Sequence, residues 1–427
     1  MGLSWLSIVR LGMVQMCLGS IVVLTTSTLN RLMVVELGLA AVLPGALVAL
    51  HYAIQITRPQ WGYKSDTGGR RTRWIIGGMA ILGAGAFLAA LGVIVMETMH
   101  WPGLILSIFA YTLIGIGVGA SGTSLLALLA TSTAPARRPA AATITWLMMI
   151  AGIAITAATA GQFLDPYTHD TLLRVVGAVT GGAVVLTALA VAGIERRTKP
   201  VEREEEATPF WDGLREVLAE RKARNFTIFI FLSMCAYFMQ ELILEPYAGL
   251  VFGFTPGQST SLSGAQNGGV FLGMVTVGVA ATGFGIGSLR AWVVAGCIGS
   301  ALALVGVTVL GQVGAGLTPM VVAMGYFNGM FAVAAIGAMM ALAGEGRESR
   351  EGTRVGLWGA SQAIAAGFGG LTGAAAVDMM RLSMAAPEAF GAVFLVEAVL
   401  FIVSAVMAFI ILDGGRRVPA AGFVAGE

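Results

Sequence analysis

Apolar stretches recur from one end of the chain to the other with short polar breaks between them, and their length, about 20 residues, is what an α-helix needs to cross a bilayer core. Taken in order they predict twelve spanning helices, near 11–29, 43–61, 74–96, 101–124, 140–162, 172–194, 225–250, 262–284, 290–312, 317–343, 353–377 and 390–412. The long hydrophilic stretch at 195–224 divides six of these from six. The expected organisation is therefore a six-helix half at 1–194, a charged linker at 195–224 and a second half at 225–427. Within the linker Phe210, Trp211, Leu214, Val217 and Leu218 recur at helical spacing among charges, the pattern of an amphipathic helix lying on a membrane face.

Composition fixes the class. With 57% hydrophobic and 11% charged residues the chain has more apolar surface than a soluble globule can hide, so it reads as an all-α, multi-pass membrane protein. Net charge, +2, says little about partners. Its distribution says more: with both termini placed inside, Arg10, Arg58, Lys64, Arg70, Arg71, Arg137, Arg138 and the cluster from Arg196 to Arg224 share one side, leaving Arg31, Arg174 and Arg381 on the other. That bias predicts cytoplasmic N- and C-termini. The first apolar block lacks a small-residue cleavage site and is expected to stay as a helix. Cys17, Cys235 and Cys297 each sit inside an apolar block, which points to buried thiols and not to disulfides or metal.

The two halves read as faint copies. Arg137-Arg-Pro-Ala-Ala-Ala-Thr-Ile-Thr-Trp146 opens the fifth helix and Arg350-Glu-Gly-Thr-Arg-Val-Gly-Leu-Trp358 the eleventh; each runs through small residues to an acid, Asp165 or Asp378. Glycines cluster inside predicted helices, at Gly115, Gly117, Gly119 and Gly122 and again at Gly367, Gly369, Gly370 and Gly373, as close-packed membrane helices require. No phosphate-binding G-x-x-x-x-G-K-[ST] occurs, so no nucleotide is expected.

Ionisable groups at membrane depth are costly, and each is a candidate functional residue. His51, Gln55 and Arg58 fall on one face of the second helix. On the seventh, Gln240, Glu241 and Glu245 precede Pro246 and Tyr247, with the proline expected to end or kink the helix. The matching point in the first half is Asn30-Arg31 and Glu36, expected just outside the first helix. Glu397, Asn328 and Gln362 are weaker candidates. Plain structural readings stand beside these: a histidine bonded between helices, or two acids reaching the interface.

Between the second and third helices runs Gly62-Tyr-Lys-Ser-Asp66-Thr-Gly-Gly69-Arg70-Arg71. It resembles the loop of the major facilitator superfamily in which glycines allow a tight turn while Asp and Arg clamp helix ends; a basic turn that merely obeys topology is the alternative. Together with Asn30-Arg31, Glu36, the His51–Arg58 stretch and Glu245-Pro246-Tyr247, it makes the chain similar to the PucC/LhaA, or bacteriochlorophyll delivery, family of phototrophic bacteria. The likeness is strongest to the branch encoded beside bacteriochlorophyll-synthesis genes.

That resemblance implies a twelve-helix fold in the bacterial inner membrane and a role in assembling light-harvesting complexes. Bacteriochlorophyll would be the cofactor held or delivered. Antenna polypeptides, pigment-synthesis enzymes and lipid would be the partners, with no nucleic acid. On this reading His51, the histidine at membrane depth, is a candidate axial ligand to the pigment Mg²⁺, flanked by Gln55 and Arg58, with Gln240, Glu241 and Glu245 as further pigment-binding candidates. No free metal site is expected. An enzyme is not expected either: the nearest acidic run, Asp165-Pro-Tyr-Thr-His-Asp170, has the wrong spacing to hold a diphosphate through Mg²⁺. A proton-coupled secondary transporter is the alternative function, for which Glu241 and Glu397 would serve.

Overall fold

The computed structural model describes residues 3–58, 61, 70–134, 137–195, 219–314, 316–343 and 351–412. Gly62, Asp66 and Gly69 of the turn motif, and Phe210 to Leu218 of the linker, lie outside these. The described chain is helical throughout, with no strand. In order, the long segments are α1 (Trp5–Glu36), α2 (Val42–Ile54, prolonged by a 3-10 turn, Gln55–Thr57), α3 (Arg71–Thr98), α4 (His100–Ser132), α5 (Arg138–Phe163) and α6 (His169–Val191). They continue as α7 (Arg221–Phe252), α8 (Pro256–Val277, extended by a π turn, Gly278–Gly283), α9 (Leu289–Val313), α10 (Thr318–Ala343), α11 (Glu351–Arg381) and α12 (Ala386–Ile411).

Ten of these are long and apolar enough to cross a membrane. The short α2 and the serine- and glutamine-rich α8 fall outside that set. Many large apolar side chains point outward, Leu302, Phe409 and Ile410 among them, as lipid-facing surface does. Buried apolar residues gather into two large clusters. One draws on residues 3–194 with Leu242 and Ala374, the other on residues 226–412.

Two expectations are corrected. Asn30, Arg31 and Glu36 belong to α1: the helix reaches Glu36 by widening into π turns at Leu24–Thr28 and Leu32–Glu36, and Asn30 and Arg31 are only 1% and 2% exposed. Pro246 does not end α7, which runs on to Phe252 and stops where Gly253 takes a left-handed conformation (φ 67°). At the end holding Leu3, the Leu3 amide bonds the Ser132 carbonyl, and Glu195 caps α3 through the Arg71 and Thr72 amides. The opposite end, called distal below, carries Glu36, Asp165, Phe254 and Asp378.

Candidate functional site

A proline in a helix interior removes one N–H, so the carbonyl four residues earlier has no donor on its own helix. For Pro246 that carbonyl belongs to Leu242. Asn30 Nδ2 donates to it from α1 at 2.5 Å. The two π turns bracketing Asn30 set its position, since a π turn shifts the register of everything beyond it. Within the first, the Thr25 carbonyl accepts from Tyr111 Oη at 2.7 Å. Asn30 and Pro246 thus form one structural unit shared by the two clusters.

Around this unit lies a buried polar ribbon. Thr28 Oγ1 meets Thr260 Oγ1 at 3.1 Å, Ser263 Oγ donates to Glu245 Oε1 at 2.6 Å, and Arg31 pairs with Glu36 while its Nη2 donates to the Phe254 carbonyl at 2.6 Å. Asn30 Oδ1, Arg31 Nε, Glu245 Oε2 and both amide atoms of Gln240 are buried without a protein partner. Polar atoms left in this state call for water or an incoming polar group. At the distal mouth, burial and the nearby Glu97 and Glu36 carboxylates push the Tyr167 hydroxyl up to about 12, so it stays protonated.

His51, Gln55 and Arg58 form a chain along α2 and its 3-10 extension: His51 Nε2 lies 2.9 Å from Gln55 Nε2, and Gln55 Oε1 accepts from Arg58. His51 is 2% exposed, with its ring against Tyr52. Imidazole is a common metal ligand and suits Mg²⁺ in its donor chemistry, but the ring is enclosed beside Tyr52 and offers no face on which a macrocycle can lie. The residues therefore fit the pigment in donor chemistry and not in space.

Glu241 borders a cavity of about 10 Å³, room for a single water, lined also by Thr26, Val48, Tyr52, Phe238 and Gly370. The structure thus brings Asn30, Arg31, Glu36 and Glu245 together and sets His51–Gln55–Arg58 apart from them. Glu397, fully buried, has both oxygens without a partner; Asn328 accepts from Ser300 at 2.7 Å. Tyr247 bonds the Val307 carbonyl at 2.8 Å and serves the second core. Arg70 is exposed just before α3, and Arg71 Nη1 donates to the Ala127 carbonyl, 3.3 Å. Among the described residues no group of His, Cys, Asp or Glu side chains is placed to hold a metal ion. The hydroxyl run Thr25-Thr-Ser-Thr28, wholly buried, is a part of the site that sequence reasoning passed over. Its signal was four consecutive polar residues inside an apolar block.

Glu245 supplies a direct test. Glu245→Gln keeps an acceptor for Ser263, so stability should change by less than about 1 kcal/mol, whereas Glu245→Leu orphans the buried serine and should cost about 1–3 kcal/mol. Thermal unfolding in detergent reads the difference; equal losses would mean that the Ser263 bond contributes nothing.

A family model described as PUCC protein matches residues 28–415. The "Bacteriochlorophyll synthase 44.5 kDa chain" of Rhodobacter capsulatus is 65% identical over the whole of both chains. "Protein PucC" of Cereibacter sphaeroides is 30% identical, over 84% of this chain and 81% of that one. Among solved structures, the nucleoside transporter NupG superposes with a TM-score of 0.72 at 14% identity, over 96% of this chain and 99% of that one. A bacterial homologue of the lysosomal transporter Spinster, inward-facing, gives 0.70 at 13% identity, over 96% and 98%. At such identities these two show the fold alone, that of major facilitator transporters.

Proposed function

This chain belongs to the PUCC protein family, and from that premise we propose that it is a non-enzymatic factor of the bacterial inner membrane that helps to build bacteriochlorophyll-containing light-harvesting complexes. The observation that carries the reading is the family match over nearly the whole chain, joined to end-to-end identity with a relative named for bacteriochlorophyll. The reading leaves aside the word synthase in that relative's name and rests on the family match and the transporter-like fold. Pigment would be the cargo, and antenna polypeptides with the enzymes that finish the pigment would be the partners. Both termini would face the cytoplasm, as the charge bias implies.

Within this reading His51, Gln55 and Arg58, with Gln240, Glu241 and Glu245, are the residues assigned to pigment contact. His51 and Glu245 would meet it only once the helices enclosing them part. A pigmented preparation tests the proposal: protein purified from cells making bacteriochlorophyll should carry a near-infrared band, and its gene's deletion should lower antenna absorption. A colourless protein with unchanged antenna would overturn it. His51→Ala should reduce pigment bound per folded protein at least about twofold if the imidazole, a common metal ligand, holds the Mg²⁺; full retention with an unshifted band removes His51 from the site.

The transporter fold favours a second reading, a proton-coupled carrier in which Glu241 and Glu397 exchange protons at membrane depth. Proteoliposomes separate the two: alkalinisation outside the vesicles on adding a solute, lost in Glu241→Gln, would select the carrier.

A further inference from the structure

We infer that Asp165 and Asp378 are two reciprocal clasps that hold the distal end of the molecule shut, and that releasing both opens it. The inference goes beyond the proposed function and needs no pigment. Asp378, at the end of α11, accepts from the Ala41 and Val42 amides at 2.9 and 2.7 Å, the first turn of α2. Asp165, at the end of α5, accepts from Thr255 Oγ1 at 2.6 Å and from the Gly257 amide at 3.3 Å, the first turn of α8. Each carboxylate thus sits on the helix start of the other cluster: one crosses from first to second, the other back.

The surroundings repeat as well. Before α2 the chain turns at Gly38 (φ 64°), and before α8 at Gly253 (φ 67°); a Pro-Gly pair then lies in the first turn of each helix, Pro44-Gly45 as the third and fourth residues of α2 and Pro256-Gly257 as the first two of α8. Turn, Pro-Gly pair and aspartate recur in the same order in each half, with Asp165 121 residues after Pro44 and Asp378 122 after Pro256, so the clasps are related copies of one device.

Two physical features suit such a clasp to opening. The amides of a helix's first turn have no acceptor on their own helix, so they bond a carboxylate while closed and water while open, at no cost to the helix itself. Water is at hand: Asp165 is exposed and borders an open groove of about 460 Å³ with Gln162, Phe254 and Gln258. Gly257 is needed for the closed form, because a Cβ there would fall on the Gly161 backbone carbonyl and on the Asp165 carboxylate. Beneath the clasps lie the contacts that opening would break, Thr28 with Thr260 and Arg31 with the Phe254 carbonyl.

The test uses full-length protein in detergent, with Cys17 and Cys235 replaced by alanine and Thr260→Cys introduced. Thr260 is fully buried and bonds across the two clusters; Cys297, fully buried in the second core, is kept as a control. A water-soluble maleimide should react with the new cysteine roughly tenfold faster when Asp165→Asn and Asp378→Asn are combined. That is the shift expected when charged hydrogen bonds are lost from one side of a two-state equilibrium. Cys297 should stay protected. Either single change should give less than the pair. Unchanged labelling in the pair overturns the proposal, and so does equal exposure of Cys297, which would show that the carboxylates hold the fold and not a gate. Because no pigment enters the assay, neither failure bears on the assembly reading.

Discussion

Asn30→Ala should lower stability by about 1–3 kcal/mol, the cost of leaving a buried carbonyl without its donor, and nearly all of that loss should vanish when Pro246 is also replaced by alanine. The carbonyl at risk is that of Leu242. With proline at 246 it has no partner on α7, so Asn30 is its donor; with alanine there the missing N–H returns and the asparagine becomes redundant. Measured as a double-mutant cycle by thermal unfolding in detergent, the two positions should couple by at least about 1 kcal/mol, against near additivity for positions that share no partner. Equal losses in both backgrounds would break the link between these two signature residues.

Gly329→Val should abolish accumulation of the folded protein, while Gly181→Val should be almost silent. On α8 and α10 four glycines face one another, Gly269 and Gly273 against Gly325 and Gly329, and any Cβ added to them falls on backbone. At Gly329 it would meet the Val270 carbonyl carbon at 2.8 Å, and at Gly273 that of Tyr326 at 2.9 Å. A side chain in the way can change rotamer, but a backbone cannot. Overpacking costs about 1–3 kcal/mol where neighbours can give, and here the two helices would have to separate along the seam, so the loss should sit at or above the top of that range. Gly181 on α6 has nothing within 4 Å, and its substitution should stay within about 0.5 kcal/mol. Comparable protein levels for the two variants, by immunoblot of membranes and gel filtration, would show that the seam tolerates spreading.

Apolar block length alone gave the all-helical membrane class and the order of the long segments, because a hydrocarbon core admits only chain whose backbone bonds are satisfied within itself. The family was legible in Asn30-Arg31, Glu36 and Glu245-Pro246-Tyr247, since such residues at membrane depth carry a signal that apolar neighbours do not dilute. The glycine runs announced close packing without naming the seams. The end of α1 was misjudged because Asn30 and Arg31 look like interface residues by polarity. What admits them to the interior is the Leu242 carbonyl that Pro246 frees and the Phe254 carbonyl just beyond α7, and both lie far away in sequence. Pro246 does not end α7 for the same reason, since a missing donor breaks a helix only if nothing else bonds the carbonyl it frees. Sequence pairing singled out Asp165 and Asp378 as matching acids but could assign them no work. Their role depends on which helix starts lie opposite, and helix starts of one cluster meet acids of the other only through tertiary packing. Local chemistry therefore determined what each segment is, and the contacts between segments distant in sequence decided which of its polar groups are satisfied, which are left open, and where the molecule is closed.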